Sequence, residues 1–168
     1  MHLPGYVIAP IRYVDIAALQ AMLESDPAYF AMIQGAPAAC NEAENLAADL
    51  PAGRTPADKF ALLVRDSTRR LCAVIDLVRG YPEPRIWFLG LLFVAPHARG
   101  GGLGTRQLQA ICAHAEEQGG AALRLGVLQA NTRARSLYDR NGFRFLLSRE
   151  RQLRSNFRVL VDLLERRF

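Results

Sequence analysis

A chain of 168 residues, 51% hydrophobic and 22% charged, has the length and composition of one folded domain, residues 1–168, with no need of a metal or disulfide to hold its core. Its longest apolar run, Ile86 to Pro96, is about half the roughly 20 residues of a membrane helix, and its first 20 residues lack the basic start and apolar stretch of a secretory signal, so a cytoplasmic protein with no membrane partner is expected. The net charge of +5 is uneven: residues 1–98 carry −2, and residues 99–168 carry +7 through arginine alone, whose planar forks suit phosphate oxygens or form a solvated surface.

Tyr6 to Pro10 is a short apolar run that reads as a strand. Asp15 is placed to cap a helix carrying Ile16, Leu19 and Leu23 on one face. Asp26-Pro27 is a sharp helix start, and Gly35 ends that helix. Asn41 and Glu44 resemble a capping box that opens a third helix, stopped by Pro51. The period then changes to that of strands. Phe60–Arg65, Leu71–Val78 and Ile86–Val94 predict an antiparallel meander, with the third apolar on both faces and therefore central. A helix over Thr105–Gln118 follows, closed by Gly119-Gly120. Leu123, Leu125 and Val127 alternate as a strand, residues 132–141 form a short helix, and Phe143–Arg149 and Asn156–Leu164 predict a closing antiparallel pair. The order β-α-α-α-β-β-β-α-β-α-β-β is an α/β sheet of seven strands.

The most chemically loaded stretch is VAPHARGGGLGTRQL, Val94 to Leu108, between the central strand and a helix. Gly100, Gly101, Gly102 and Gly104 remove side chains that would keep a ligand from the backbone. Amides from Gly100 to Thr105 can then converge on an anion at a helix N-terminus, with Arg99 and Arg106 on either side. A P-loop is excluded because Thr105, not Lys, follows Gly104, and G-x-G-x-x-G fails at Thr105 or Gln107. Arg-x-x-Gly-x-Gly remains, satisfied by Arg99, Gly102 and Gly104. Downstream lies QANTRARSLYDRNGF, Gln129 to Phe143, in which Asn131 or Thr132 caps a helix bearing Tyr138.

With these two units in place, the chain resembles the GCN5-related N-acetyltransferase (GNAT) family over residues 60–146. The resemblance implies a mixed, largely antiparallel seven-stranded sheet flanked by helices, with a splayed central parallel pair, Ile86–Val94 and Leu123–Leu128. It implies acetyl-CoA as co-substrate and no metal. The backbone of Phe93 and Val94 would hold the pantetheine arm. Arg99, Gly100, Gly101, Gly102, Gly104 and Thr105 would hold the diphosphate, and Asn131 would contact the cofactor. Tyr138 matches the general acid, although core packing also accounts for its ring. The Glu that many members carry on the central strand has no counterpart in Ile86–Val94. Asp76 and Glu83 are the nearest acids; with Asp76 equally readable as a surface residue, water or bulk solvent is expected to take the amine proton.

The expected reaction is direct attack of a small amine on acetyl-CoA. Tyr29, Phe30, Tyr81 and Glu83 are the candidate acceptor-side residues, and Met32 and Trp87 add aromatic or apolar surface there. The acidic tilt of residues 1–98 is compatible with a cationic amine. Two alternatives stay open: acetylation of a protein or RNA-linked amine, and a CoA-binding module without turnover. Direct nucleic-acid binding is disfavoured, since no helix interleaves basic and aromatic residues, and a homodimer is left open. Cys40, Cys72 and Cys112 lack metal or redox spacing, and with His2, His97 and His114 widely separated no zinc site is expected.

Overall fold

The computed structural model describes residues 1–152 and 158–168. Its elements are β1 (Val7–Pro10), α1 (Ile16–Glu24), α2 (Pro27–Gln34), α3 (Glu42–Ala48), β2 (Lys59–Arg65), β3 (Leu71–Arg79), β4 (Ile86–Val94), α4 (Leu103–Glu117), β5 (Ala122–Leu128), α5 (Thr132–Arg140), β6 (Arg144–Gln152) and β7 (Arg158–Arg167). Among the described residues, seven strands form one sheet in the order β1-β2-β3-β4-β5-β7-β6. Neighbours are antiparallel except β4 and β5, which run parallel. The expected element order and central β4 are both present. The expected start of the last strand, Asn156, lies outside the described residues; β7 runs on to Arg167, past the expected Leu164.

Helices cover both faces, which explains why the middle strands are apolar on both sides. Ile75, Leu77, Trp87 and Leu89 pack with Leu108 and Ile111 of α4. Val74, Leu63 and Phe93 pack on the other face with Leu19 and Leu23 of α1, Phe30 of α2 and Ala43 of α3. Trp87 is 1% exposed among Phe60 and His114, so it belongs to the core and not to an acceptor rim. The edge strand β6 is exposed along its whole length, Arg144, Arg149 and Arg151 alongside Phe145, Leu146 and Leu147.

Local signals fare unevenly. Asp26 caps α2 as expected, its Oδ1 accepting from the Tyr29 amide at 3.0 Å, and Gly35 closes the helix at φ +73°. Asp15 does not cap α1 with its side chain. It ends a 3-10 turn, so its carboxylate reaches back to the Arg12 amide at 3.0 Å and pairs with Arg65 of β2 at 3.0 Å. The Asn41–Glu44 box does not form either. Gln20 of α1 supplies Oε1 to the Ala43 amide at 2.9 Å, and Glu42 takes the Ala39 amide at 3.1 Å. A tertiary neighbour has replaced the local cap. α4 starts at Leu103 rather than Thr105, because Gly102 at φ +74° turns the backbone into the helix.

The glycine pair after α4 also sets a packing limit. Gly119 adopts φ +78°, and the Gly120 amide donates back to the Ala115 carbonyl at 2.9 Å. A Cβ on Gly120 would sit 2.7 Å from that carbonyl oxygen and 2.8 Å from the Trp87 ring. Gly120→Ala should therefore destabilise the fold by about 1–3 kcal/mol in urea unfolding, as overpacking against rigid neighbours does.

Candidate active site

The site begins where β4 and β5 part. They pair from Ile86 with Ala122 to Leu89 with Leu125, and no further. At that point β4 carries one extra residue: Asp76 of β3 faces Leu91, whereas Leu77 faces Leu89, leaving Gly90 unmatched. Beyond the bulge β4 stays with β3, while β5 stays with β7 from Gly126 to Leu128. The facing edges of the two strands are left without each other, and a cleft of about 1010 Å³ opens between them.

The glycine turn forms one end of this cleft. Gly100 and Gly102 adopt φ +90° and +74°, and a Cβ on Gly100, Gly101 or Gly102 would meet nothing within 4 Å. The cradle is open because the glycines leave it open. Gly104 differs: it lies against Leu137 and Val94. No side chain caps α4, so its first amides, at Leu103, Gly104 and Thr105, carry the positive end of the helix dipole without a partner in the helix. Arg133 and Arg140 of α5 also line the cleft, a contribution that helical spacing alone does not reveal.

Arg99 has protein partners of its own. Its Nη2 meets Asp26 Oδ2 at 2.5 Å, its Nε donates to the Val94 carbonyl at 2.9 Å, and the guanidinium lies 5.5 Å from the Phe93 ring centre. Asp26 thus caps α2 with one oxygen and holds Arg99 with the other. Arg106 points to Tyr6 instead, 5.2 Å over its ring.

Phe93 is buried against Tyr29 and Phe30, so only its backbone is available to a ligand. Asn131 caps α5 through Oδ1, which accepts from the Ala134 amide at 3.1 Å, and its NH₂ group has no partner among the described residues. Tyr138 stands on α5 against Phe143, 8% exposed, and its hydroxyl makes no hydrogen bond among the described residues. Burial pushes this phenol up to about 12. Burial also raises Tyr29 above the ordinary phenol range, and the nearby Tyr138 and Asp26 add to that rise while Arg99 opposes it. Both hydroxyls stay protonated at neutral pH.

Phe93, Val94, Arg99, Gly100, Gly102, Gly104, Thr105, Asn131, Tyr138, Tyr29 and Phe30 therefore share one cleft, with Gly101 in the turn between its neighbours. Tyr81 and Glu83 are not on its wall. Tyr81 packs edge-on to Phe88 at 5.5 Å, and Glu83 pairs with Arg124 at 2.8 Å. A hub not evident from sequence fixes α5: buried Asp162 of β7 accepts from Gln129 at 2.8 Å, Ser148 at 2.7 Å and Arg135 at 2.7 Å. Those bonds hold its carboxyl below the usual range. Among the described residues no cluster of His, Cys, Asp or Glu could hold a metal ion, and no helix is long and apolar enough to cross a membrane.

Residues 21–143, well over half the chain, match the model of the acetyltransferase (GNAT) family. The chain belongs to the GNAT family. Its sequence is 46% identical over 59 residues to the uncharacterized N-acetyltransferase YhfO of Bacillus subtilis, a match covering 35% of this chain and 40% of that protein. Among solved structures, an acetyltransferase from Thermus thermophilus aligns over 100% of both chains at 22% identity and a TM-score of 0.77. Spermidine N-acetyltransferase from Vibrio cholerae, in complex with CoA and spermine, aligns over 97% of this chain and 95% of its own at 15% identity and a TM-score of 0.76. At these identities the two structures establish the fold alone.

The Asp26–Arg99 pair gives this GNAT chain a measurable link between α2 and the glycine turn. Asp26→Ala removes the α2 cap and the ion pair together and should cost about 1–2 kcal/mol in urea unfolding. In a double-mutant cycle, Arg99→Ala should add less in the Asp26→Ala background than alone, because its partner is already gone.

Proposed function

We propose that the protein is an acetyl-CoA-dependent N-acetyltransferase that transfers an acetyl group to a small amine by direct attack. The observation that carries this reading is the continuity of one cleft, from the uncapped start of α4 to the parting of β4 and β5 beside Tyr138. Acetyl-CoA is a long chain with a diphosphate at one end and a thioester at the other. The open glycine cradle suits the diphosphate, with amides of Gly100 to Thr105 as donors and Arg133 and Arg140 supplying charge. The unpaired edge of β4 at Phe93 and Val94 suits the amide groups of the pantetheine arm, and the Asn131 NH₂ group is a further donor. Arg99, already paired with Asp26, acts mainly by fixing the turn.

Tyr138 would give a proton to the departing thiolate. A phenol at about 12 is a weak acid beside a free thiol near 8.5. Burial raises a thiol as well: Cys112, in the core away from the cleft, is pushed up to about 11. A thiolate leaving into a water-poor cleft would move in the same direction, which narrows the mismatch.

The acceptor would enter over α2 and α3, past Tyr29 and in front of Phe30. Asp26, Glu42, Asp49 and Asp76 line that side; Arg99 answers Asp26 and Lys59 answers Asp76, which leaves Glu42 and Asp49 without an ion-pair partner among the described residues and suits a cationic amine. The Vibrio cholerae neighbour, solved with spermine, is an instance of this fold with such a ligand.

Acetyl-CoA at about 100 times its Kd should stabilise the fold by about 2.7 kcal/mol. Gly101→Glu is the discriminating variant. Gly101 lies in open space with no left-handed φ, so the fold should survive while the carboxylate repels the diphosphate and abolishes the melting shift. Release of thiol from acetyl-CoA with a panel of amines tests turnover, and a shift without release would leave only a CoA-binding module.

Tyr138→Phe should lower single-turnover transfer by about 10²–10⁴-fold with the acetyl-CoA shift retained. A general acid loses activity as pH rises through its own value, which for Tyr138 is about 12. The parent should therefore show no alkaline loss from this group in the usual assay range. A rate within about threefold of the parent would leave the ring as packing alone.

A further inference from the structure

An amine attacks a thioester only through a free lone pair, yet an aliphatic ammonium near 10.4 is almost fully protonated at neutral pH. β4 carries no acid to take that proton. Its neighbour β3 does. Val74 of β3 packs with α1–α3 and Ile75 and Leu77 with α4, so Asp76 falls on the α1–α3 side, where the acceptor would enter.

Three contacts define its carboxylate. Oδ1 accepts from Lys59 Nζ at 2.8 Å, and the same ammonium donates to the Asp49 carbonyl at 2.7 Å. Oδ2 accepts no hydrogen bond among the described residues. It lies against Gly90, where a Cβ would stand 2.8 Å away. Glycine at the bulge is thus what lets the carboxylate reach the parting of β4 and β5. The side chain is 19% exposed, and Lys59 is 6% exposed.

Resting on the acetyltransferase reading above, we infer that Asp76 is the general base of the transfer, its Oδ2 taking a proton from the incoming ammonium at the β4 bulge. The neutral nitrogen then attacks the thioester carbon. A C–N bond forms as the carbonyl π pair moves onto oxygen. When the C=O bond re-forms, the C–S bond breaks and its electron pair leaves on sulfur. The thiolate takes a proton from Tyr138, and the phenolate recovers one from the nitrogen, which becomes the amide N–H. The proton on Asp76 passes to solvent through the cleft, so one H⁺ is released per turnover. The charged groups facing Asp76 are Lys59 from β2 and Asp49 from the segment after α3. Burial raises the carboxyl above its usual range, Asp49 adds to that rise, and Lys59 opposes it, which brings the base nearer the operating pH.

The experiment compares the parent with Asp76→Asn, Asp76→Glu and Lys59→Met in single-turnover thiol release against an amine panel and pH, with the acetyl-CoA melting shift as a check on binding. Asp76→Asn should keep the shift and lose about 10²–10⁴-fold in rate at neutral pH. Its remaining rate should climb about tenfold per pH unit, as free amine from solution replaces the base. Asp76→Glu should restore part of the rate. Lys59→Met should move the acid limb of the parent profile to higher pH, because the carboxylate loses the cation that favours its charged form.

An active parent with Asp76→Asn inside about threefold and an unchanged pH profile overturns the base role alone. So does a rise in KM with kcat retained, which would make Asp76 only an anchor for the ammonium. A parent that releases no thiol with any amine overturns the acetyltransferase reading and the base role with it. Should Asp76→Asn fail to fold, Asp76→Glu and Lys59→Met decide: shifted acid limbs support the role, and unshifted limbs overturn it.

Discussion

A continuous sheet has no room for a ligand between its strands, because neighbours sit about 4.8 Å apart and use their backbone groups on one another. One extra residue in β4 lifts that constraint here. Side chains alternate with period two, so Gly90 inverts which face every later residue takes. Trp87 and Leu89 before the bulge pack with α4, as do Leu92 and Val94 after it, while Leu91 and Phe93 join α1–α3. The end of β4 therefore follows β3 and leaves β5 to β7. The edges that part are where the cleft lies, and Gly90 is also the gap into which the Asp76 carboxylate fits.

The elements around the cleft are tied to one another by charges that serve two partners each. Asp26 joins the start of α2 to the loop after β4 through Arg99, and Asp162 of β7 joins α5 to β6 and to the turn after β5. Such pairs give up hydration when they form, so their net stabilisation is modest. Their effect is positional. α5 carries Tyr138, and the loop held by Arg99 leads into the glycine turn, so both ends of the cleft are set by ion pairs rather than by apolar contact alone. The same pairing explains the arginine-rich second half. Arg124, Arg135, Arg158 and Arg167 answer carboxylates, and Arg133 and Arg140 reach the cleft.

Dryness divides the labour among the titratable groups. Burial lifts the phenols of Tyr29 and Tyr138 and keeps them neutral, so they can donate but do not repel an incoming acyl donor. Burial lifts Asp76 as well, and there Lys59 opposes the rise. Tyr138 on α5 and Asp76 on β3 thus line one cleft with tendencies set by their environments rather than by residue type alone.

Much of this was legible in the sequence because it is local. The period of Leu71–Val78 and Ile86–Val94, the Asp26-Pro27 start of α2, and the glycine run after Arg99 each act through neighbours a few residues away, so the element order and the cradle could be read directly. The resemblance to GNAT sequences then supplied the parting of β4 and β5, which no spacing rule reveals. Other features depended on partners far along the chain. Asp15 turned to Arg65, Gln20 capped a helix in place of Asn41, Trp87 went into the core, and Arg99 found Asp26. Asp76 read as a nearby acid and equally as a surface residue, with no dedicated base expected, since its surroundings come from Gly90, Lys59 and burial together. Sequence by itself determined the strands, helices and glycine turn, whose energies are set by adjacent residues. Only the tertiary structure decided which charges meet and which groups lose water, because those depend on strand register and on helices packed from distant parts of the chain.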